Sequence, residues 1–193
     1  MPFDIEHNLR FFLRLRSGLF FNVRIFPLLI FLVSVLPAAS FAGTPGEVKA
    51  GGLLREATLD GLNGKAKTFA DFKGKPLMIN IWASWCGPCR AEMGSLERLA
   101  QRYNGKEFNV IGISTDDYRN RAEAFIEQTK ITFENYLDSK LFLENMLGAS
   151  AIPLTVFVDA EGRVLFKARG AYEWDSPQTI AAIAEAFQIT LKH

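Results

Sequence analysis

After the turn signal Lys73-Gly74-Lys75-Pro76, residues 77–82 are apolar at every position but Asn80, the pattern of a strand buried on both faces. Between residues 88 and 103 the pattern changes: Met93, Leu96, Leu99, Ala100 and Tyr103 recur at intervals of three and four, which predicts an amphipathic helix. "FNVIGIS" predicts the next buried strand, "RAEAFIEQTK" the next helix, and "SKLFLENMLG" a short helix stopped by Gly148. "LTVFVDAEGRVLFKAR" reads as two strands around a turn at 159–162. Ser176 followed by Pro177 is an N-cap and a first-turn proline, opening a last helix through Phe187. Upstream, Asp60-Gly61 and Asn63-Gly64 sit between short apolar stretches and predict a small hairpin. Strands alternating with helices, then a terminal hairpin and helix, give an α/β sandwich with a mixed central sheet. There is no internal repeat and no low-complexity tract.

The first 42 residues follow another pattern. Arg10, Arg14, Arg16 and Arg24 precede an uncharged apolar run over 25–42 that ends in small residues, with Ser40 and Ala42 placed for cleavage after Ala42. The segment reads as a signal peptide or, uncleaved, as an N-terminal membrane anchor, the run being slightly shorter than the roughly 20 residues of a full span. The basic flank holds the N-terminus in the cytoplasm and sends the remainder across the membrane, so a periplasmic or otherwise extracytoplasmic domain is expected. The organisation expected is therefore 1–42 for targeting, 43–52 ("GTPGEVKAGG") as a Gly-rich linker, and 53–193 as one folded domain. Without residues 1–42 the chain carries 18 basic and 19 acidic side chains. A near-neutral domain with no basic face is not expected to bind nucleic acid.

Both cysteines of the chain, Cys86 and Cys89, lie in "INIWASWCGPCRAEM". A structural zinc site wants four ligands, and beyond the two thiols the chain offers only His7 and His193, so no metal is expected. As a staple, the pair closes a four-residue loop worth about 2 kcal/mol, against nearly 5 for a loop of about 100 residues. Redox exchange has a better physical basis. A strand leads into a turn and a helix begins at the cysteines, so the Cys86 sulfur should lie over unpaired first-turn amides. That interaction can reach about 2 kcal/mol, enough to bring a thiol from about 8.5 toward 7. Gly87 and Pro88 permit the tight turn, since the missing proline N–H would be unpaired there anyway. Trp82 is expected in the core, and Trp85, beside the thiol, on a contact surface.

"WCGPC" after an apolar strand resembles the thioredoxin superfamily. "INIWASWCGPCRAEM" together with "SAIPLTVFVDAEGRV" is more narrowly similar to the TlpA/ResA/CcmG-type thiol:disulfide reductases, and "GAYEWDSPQTI" is similar to the TlpA branch. The resemblance covers residues 53–187 and implies a thioredoxin-like fold with an N-terminal hairpin and a central helix-strand insertion, matched by "RAEAFIEQTK" and "FENYLD". It implies that Cys86 attacks, that Cys89 resolves, and that Pro153 is a cis-proline leaving the Ile152 backbone free to pair with an incoming peptide. It also implies client proteins bearing disulfides, of the cytochrome c or oxidase biogenesis type, and a membrane electron donor of the DsbD or CcdA type. No cofactor beyond the cysteine pair is implied. Asn80 stands where cytoplasmic thioredoxins carry a buried Asp that helps deprotonate the resolving cysteine. Glu92, one turn beyond Pro88, is a candidate to relay that proton, its other reading being an ordinary solvated surface carboxylate. Gly94 replaces a common helix-kinking proline, and Leu154 the usual Thr.

Three other functions are compatible with such a fold. A thiol peroxidase would need Thr or Ser three residues before the attacking cysteine, where Ala83 stands. A copper metallochaperone would need three residues between its cysteines and a histidine ligand. A redox-inactive binding module would need no paired thiols at all.

Overall fold

The computed structural model describes residues 44–191. The expected targeting segment, His7 and His193 lie outside them. Among the described residues seven strands form one sheet: β1 (Thr58–Gly61), β2 (Lys67–Thr68), β3 (Leu77–Trp82), β4 (Asn109–Ser114), β5 (Glu134–Leu137), β6 (Leu154–Val158) and β7 (Val164–Arg169). Four α-helices and a 3-10 turn at Phe69–Phe72 accompany it among the described residues: α1 (Gly87–Tyr103), α2 (Arg119–Thr129), α3 (Phe142–Leu147) and α4 (Pro177–Phe187).

The sheet order is β2-β1-β5-β4-β3-β6-β7. β3, β4 and β5 are parallel because α1 and α2 carry the chain back between them, whereas β6 and β7 form an antiparallel hairpin. Asp159 closes that hairpin, its Oδ1 accepting the amides of Glu161 (3.0 Å) and Arg163 (2.7 Å). The insertion α2–β5 lies between the core strands and the N-terminal hairpin, with β5 parallel to β4 and antiparallel to β1. The mixed sheet, the hairpin and the insertion are those expected from the sequence.

Every residue of β3 is buried, so its alternation serves two cores. Met78 and Trp82 pack with Leu96, Phe108, Phe157 and Phe187 on the side of α1 and α4. Leu77, Ile79 and Ile81 pack with Leu143, Leu147 and Val156 on the side of α3. Period two then sends the one polar residue of the strand, Asn80, to the side of α1. This single register decision places an amide under the helix that carries both cysteines.

The described part of the expected linker packs on the domain ahead of Leu53. Val48 is buried, its amide donates to the Met146 carbonyl (2.9 Å), and Glu47 pairs with Lys167 (2.5 Å). Gly51 donates to Val164 and Leu53 bridges Arg163. Glycine content alone suggests a linker, while one buried valine and the long-range backbone bonds of Val48, Gly51 and Gly52 make this stretch part of the fold. Helix ends follow their capping residues: Ser176 Oγ accepts the Thr179 amide at 3.2 Å, and Gly148 takes the left-handed conformation (φ 73°) that ends α3.

Candidate active site

β3 ends at Trp82 and the chain turns through Ala83, Ser84 and Trp85 before α1 begins. Cys86 is the N-cap of α1, its amide donating to Ala83 O (3.1 Å) and its Sγ accepting the Cys89 amide at 3.2 Å. Cys86 and Cys89 are joined as a disulfide, with Cα atoms 5.3 Å apart. Cys86 retains 5% exposure and Cys89 none. Gly87 and Pro88 form the exposed first turn, and Trp85 is 66% exposed beside them. The Ile152–Pro153 peptide is cis, and the Ile152 carbonyl oxygen lies 3.8 Å from Cys86 Sγ. The turn after β3, the start of α1 and the loop before β6 thus meet at Cys86.

Trp82 belongs to the core. It is fully buried against Phe125 and its indole N–H donates to Asn135 Oδ1 at 2.9 Å, tying β3 to the inserted strand β5.

Glu92 is not the solvated surface carboxylate that was one of its two readings. It is 2% exposed and gathers three donors: Asn80 Nδ2 on Oε1 (2.8 Å), and Trp174 Nε1 (2.9 Å) with the Tyr172 amide (3.1 Å) on Oε2. Burial pushes its carboxyl up to about 7, against the opposing pull of those three hydrogen bonds. Such a group changes charge near neutrality, one helical turn after Cys89 on the same buried face. The helical pattern held the signal, because position 92 lies three after Cys89, four before Leu96 and seven before Leu99. Asn80 also donates to Thr155 Oγ1 (3.0 Å), and its Oδ1 is without a partner among the described residues. This amide orientation suits an ionised Glu92; a half-turn would present Oδ1 to a protonated one.

Asp116 was not identified from the sequence. Fully buried beyond the end of β4, it accepts the Ser84 amide (2.9 Å), the Ser84 hydroxyl (2.7 Å) and the Ser114 hydroxyl (2.8 Å). Arg90 Nη1 adds a bond to the Ser84 carbonyl at 3.2 Å. Ser84 is therefore pinned through all its polar groups two residues before Cys86. The available signal was position: "STDD" follows a parallel strand, at the end of the sheet where α/β sites form.

Residues 49–183 match the family model described as Redoxin. The chain belongs to the Redoxin family. It is 28% identical over 109 residues to thiol-disulfide oxidoreductase ResA of Bacillus thuringiensis subsp. konkukian, covering 56% of this chain and 63% of that protein, a little under two thirds of its length. It is 26% identical over 126 residues to ResA of Geobacillus thermodenitrificans, covering 65% and 72%. Among solved structures, a Chlorobium tepidum protein assigned as thiol:disulfide interchange protein DsbE superposes with a TM-score of 0.66 at 25% identity, over 72% of this chain and 99% of that one. A Bacteroides thetaiotaomicron protein assigned as a protein disulfide isomerase gives 0.61 at 27%, over 76% and 92%. This Redoxin domain is thus a TlpA/ResA/CcmG-like member of the thioredoxin superfamily, with the thioredoxin-like mixed sheet expected of it.

Proposed function

We propose that this Redoxin domain is an extracytoplasmic thiol:disulfide oxidoreductase that reduces disulfides of client proteins. The observation that carries the reading is the Cys86–Cys89 pair at the start of α1, with Cys86 Sγ accepting a first-turn helix amide and Cys89 shielded beneath it. In the dithiol state the same amide and the helix N-terminus favour a Cys86 thiolate. This thiolate attacks one sulfur of a client disulfide, and the other client sulfur leaves as a thiol after taking a proton. Cys89 gives its proton to the Glu92 carboxylate and attacks Cys86 Sγ, expelling the second client sulfur as a thiolate that takes a proton from solvent. Two electrons have passed to the client and the pair is again a disulfide. Trp85 supplies apolar contact beside the sulfur, with Tyr118, the N-cap of α2, and Phe142, the first residue of α3, exposed at the same end of the parallel strands. Asn80 holds the carboxylate, and Ile152 offers its backbone beside Pro153.

A reductant in an oxidising compartment must be recharged. The Gly-Pro dipeptide is that of thioredoxin, near −270 mV rather than the −120 mV of a dedicated oxidant, so a membrane dithiol donor of the DsbD or CcdA type is the expected source of electrons. The 1–42 segment supplies export and, if retained, a tether at that membrane. Clients belong to cytochrome c or oxidase biogenesis by the family likeness.

In the native host, Cys89→Ser is expected to accumulate mixed disulfides between Cys86 and a small set of clients, and Cys86→Ser to accumulate none. Insulin reduction by the purified dithiol form should be abolished by either substitution. Broad, unrelated clients together with a pair found mostly oxidised in the cell would replace the reductase reading with a general oxidant; rapid peroxide consumption would replace it with a peroxidase. In the reduced protein at mildly acidic pH, iodoacetamide is expected to modify Cys86 before Cys89, read by peptide mass spectrometry. The reverse order would exchange the two roles.

A further inference from the structure

The segment 170–175, between β7 and α4, takes no part in the exchange steps above, yet it is fastened along α1 at three positions spaced by three residues. At Glu92, Oε2 receives the Tyr172 amide and the Trp174 indole N–H. At Ser95, Oγ accepts the Trp174 amide (3.0 Å) while lying 2.8 Å from Glu92 O and 3.3 Å from Tyr172 O. At Arg98, the guanidinium forks onto Asp175 (2.6 and 3.1 Å) and reaches Glu173 (2.9 Å). Trp174 is fully buried, packed at tilted angles against Tyr172 and Phe157. Packing alone would be served by any ring of that size, but this one aims its single donor at the carboxylate oxygen.

We propose that Trp174 is a positioning residue of the redox site: held by the Ser95 and Arg98 fastenings, it anchors the Glu92 carboxylate through Oε2 as the acceptor for the Cys89 proton and sets the pH range over which the mixed disulfide resolves. This rests on the reading of Glu92 as that acceptor. The groups facing Glu92 are few. β3 contributes Asn80, itself bonded to Thr155 of β6; the strap contributes Trp174 and the Tyr172 phenol; on α1, Cys89 stands three residues before it. The phenol, raised by burial and by Glu92 itself, stays neutral across neutral pH, and Arg98 is committed to Asp175. Among the described residues no formal charge bonds the carboxylate, so its donors are what favour the ionised form. Loss of one donor disfavours that form and moves its titration to higher pH.

The test uses the full-length reduced protein and oxidised glutathione as the disulfide, with acid-quench mass spectrometry following decay of the Cys86–glutathione adduct across pH, separately from its formation. Trp174→Phe keeps the ring and removes the donor. It is expected to move the acidic limb of the decay rate up by about one pH unit, roughly tenfold slower on that limb, with the alkaline plateau unchanged. Ser95→Ala, which loosens the strap without touching the Glu92 carboxylate or the ring, is expected to shift the limb in the same direction by less, and it carries the test should Trp174→Phe fail to fold. Glu92→Gln is expected to remove the limb. If Glu92→Gln removes it while Trp174→Phe and Ser95→Ala keep the wild-type midpoint, the positioning role is overturned and the acceptor role stands. A limb that survives in Glu92→Gln overturns the acceptor reading beneath it. A lower rate at every pH with an unmoved midpoint would make Trp174 a packing residue only.

Discussion

Gly112→Ala is expected to destabilise the domain by about 3 to 5 kcal/mol, a large part of the roughly 5–15 kcal/mol available to a domain of this kind. Gly112 lies in β4 between Asn80 of β3 and Asn135 of β5. Its backbone does not need the left-handed conformation; what it needs is space. A Cβ there would fall inside the contact radius of Asn135 Oδ1, 2.9 Å from Asn135 Cγ and 2.8 Å from Trp82 Nε1. Neither neighbour can give way cheaply. Asn135 is fully buried, donating from Nδ2 to Phe133 O (2.9 Å) and accepting the Trp82 indole on Oδ1. Displacing it leaves a buried indole N–H unpaired, worth about 1–3 kcal/mol, in addition to overpacking worth about 1–3 kcal/mol. Urea unfolding reads the effect. In Asn135→Ala the severest contacts, with Oδ1 and Cγ, are gone and the Trp82 indole is released from its partner, so adding Gly112→Ala to that background should cost less than adding it to the wild type. A cost below about 1 kcal/mol in the wild type would show that the β3–β4–β5 junction is looser than its geometry.

That junction also marks where sequence reading succeeded and where it stopped. β3, α1, β4 and the β6–β7 hairpin were legible because each has an apolar period tied to one secondary structure, with Pro, Gly or Asp at its ends. The cysteine pair was legible because a strand, a tight-turn dipeptide and a helix start are adjacent in the chain. Legibility failed where a residue's environment is built by distant segments. Glu92 can be named from "CRAEM" as a candidate proton relay, but its burial and its partners emerge only when Asn80, Tyr172 and Trp174 are brought around it from β3 and from beyond β7. Asp116 likewise acquires meaning only when the β3 loop folds over it and hands it Ser84. Residues 44–52 looked like a tether because glycine dominates local propensity, whereas their partners, Met146 and Val164, are about a hundred residues away.

The buried carboxylate should leave its mark on stability as well as on rate. Glu92 has a folded value of about 7, against 4.5 ordinarily, with burial the first cause and the bonds from Asn80, Tyr172 and Trp174 opposing it. The folded protein therefore keeps this proton over a range where the unfolded chain has lost it. A group raised in this way adds stability that is fully present below about pH 4.5 and disappears as pH rises through about 7. At 1.36 kcal/mol per unit the swing is about 3 kcal/mol, an order-of-magnitude figure. Glu92→Gln isolates it. The amide imitates the protonated acid: its oxygen can accept from Tyr172 and Trp174, and its NH₂ can donate to Asn80 once that amide turns its partnerless Oδ1 inward. Other shifted groups, such as Asp138 raised by burial and Asp175 lowered by Arg98, titrate equally in both proteins and cancel in the difference. Urea unfolding of the disulfide form, in which neither cysteine titrates, should show wild type losing about 3 kcal/mol relative to Glu92→Gln between about pH 4.5 and 8. A difference that stays flat over that range would mean that Glu92 ionises near its ordinary value, and a carboxyl already charged at low pH would be no poised acceptor for Cys89. A slope centred near neutrality would tie the instability of the buried carboxylate to the proton it is placed to receive.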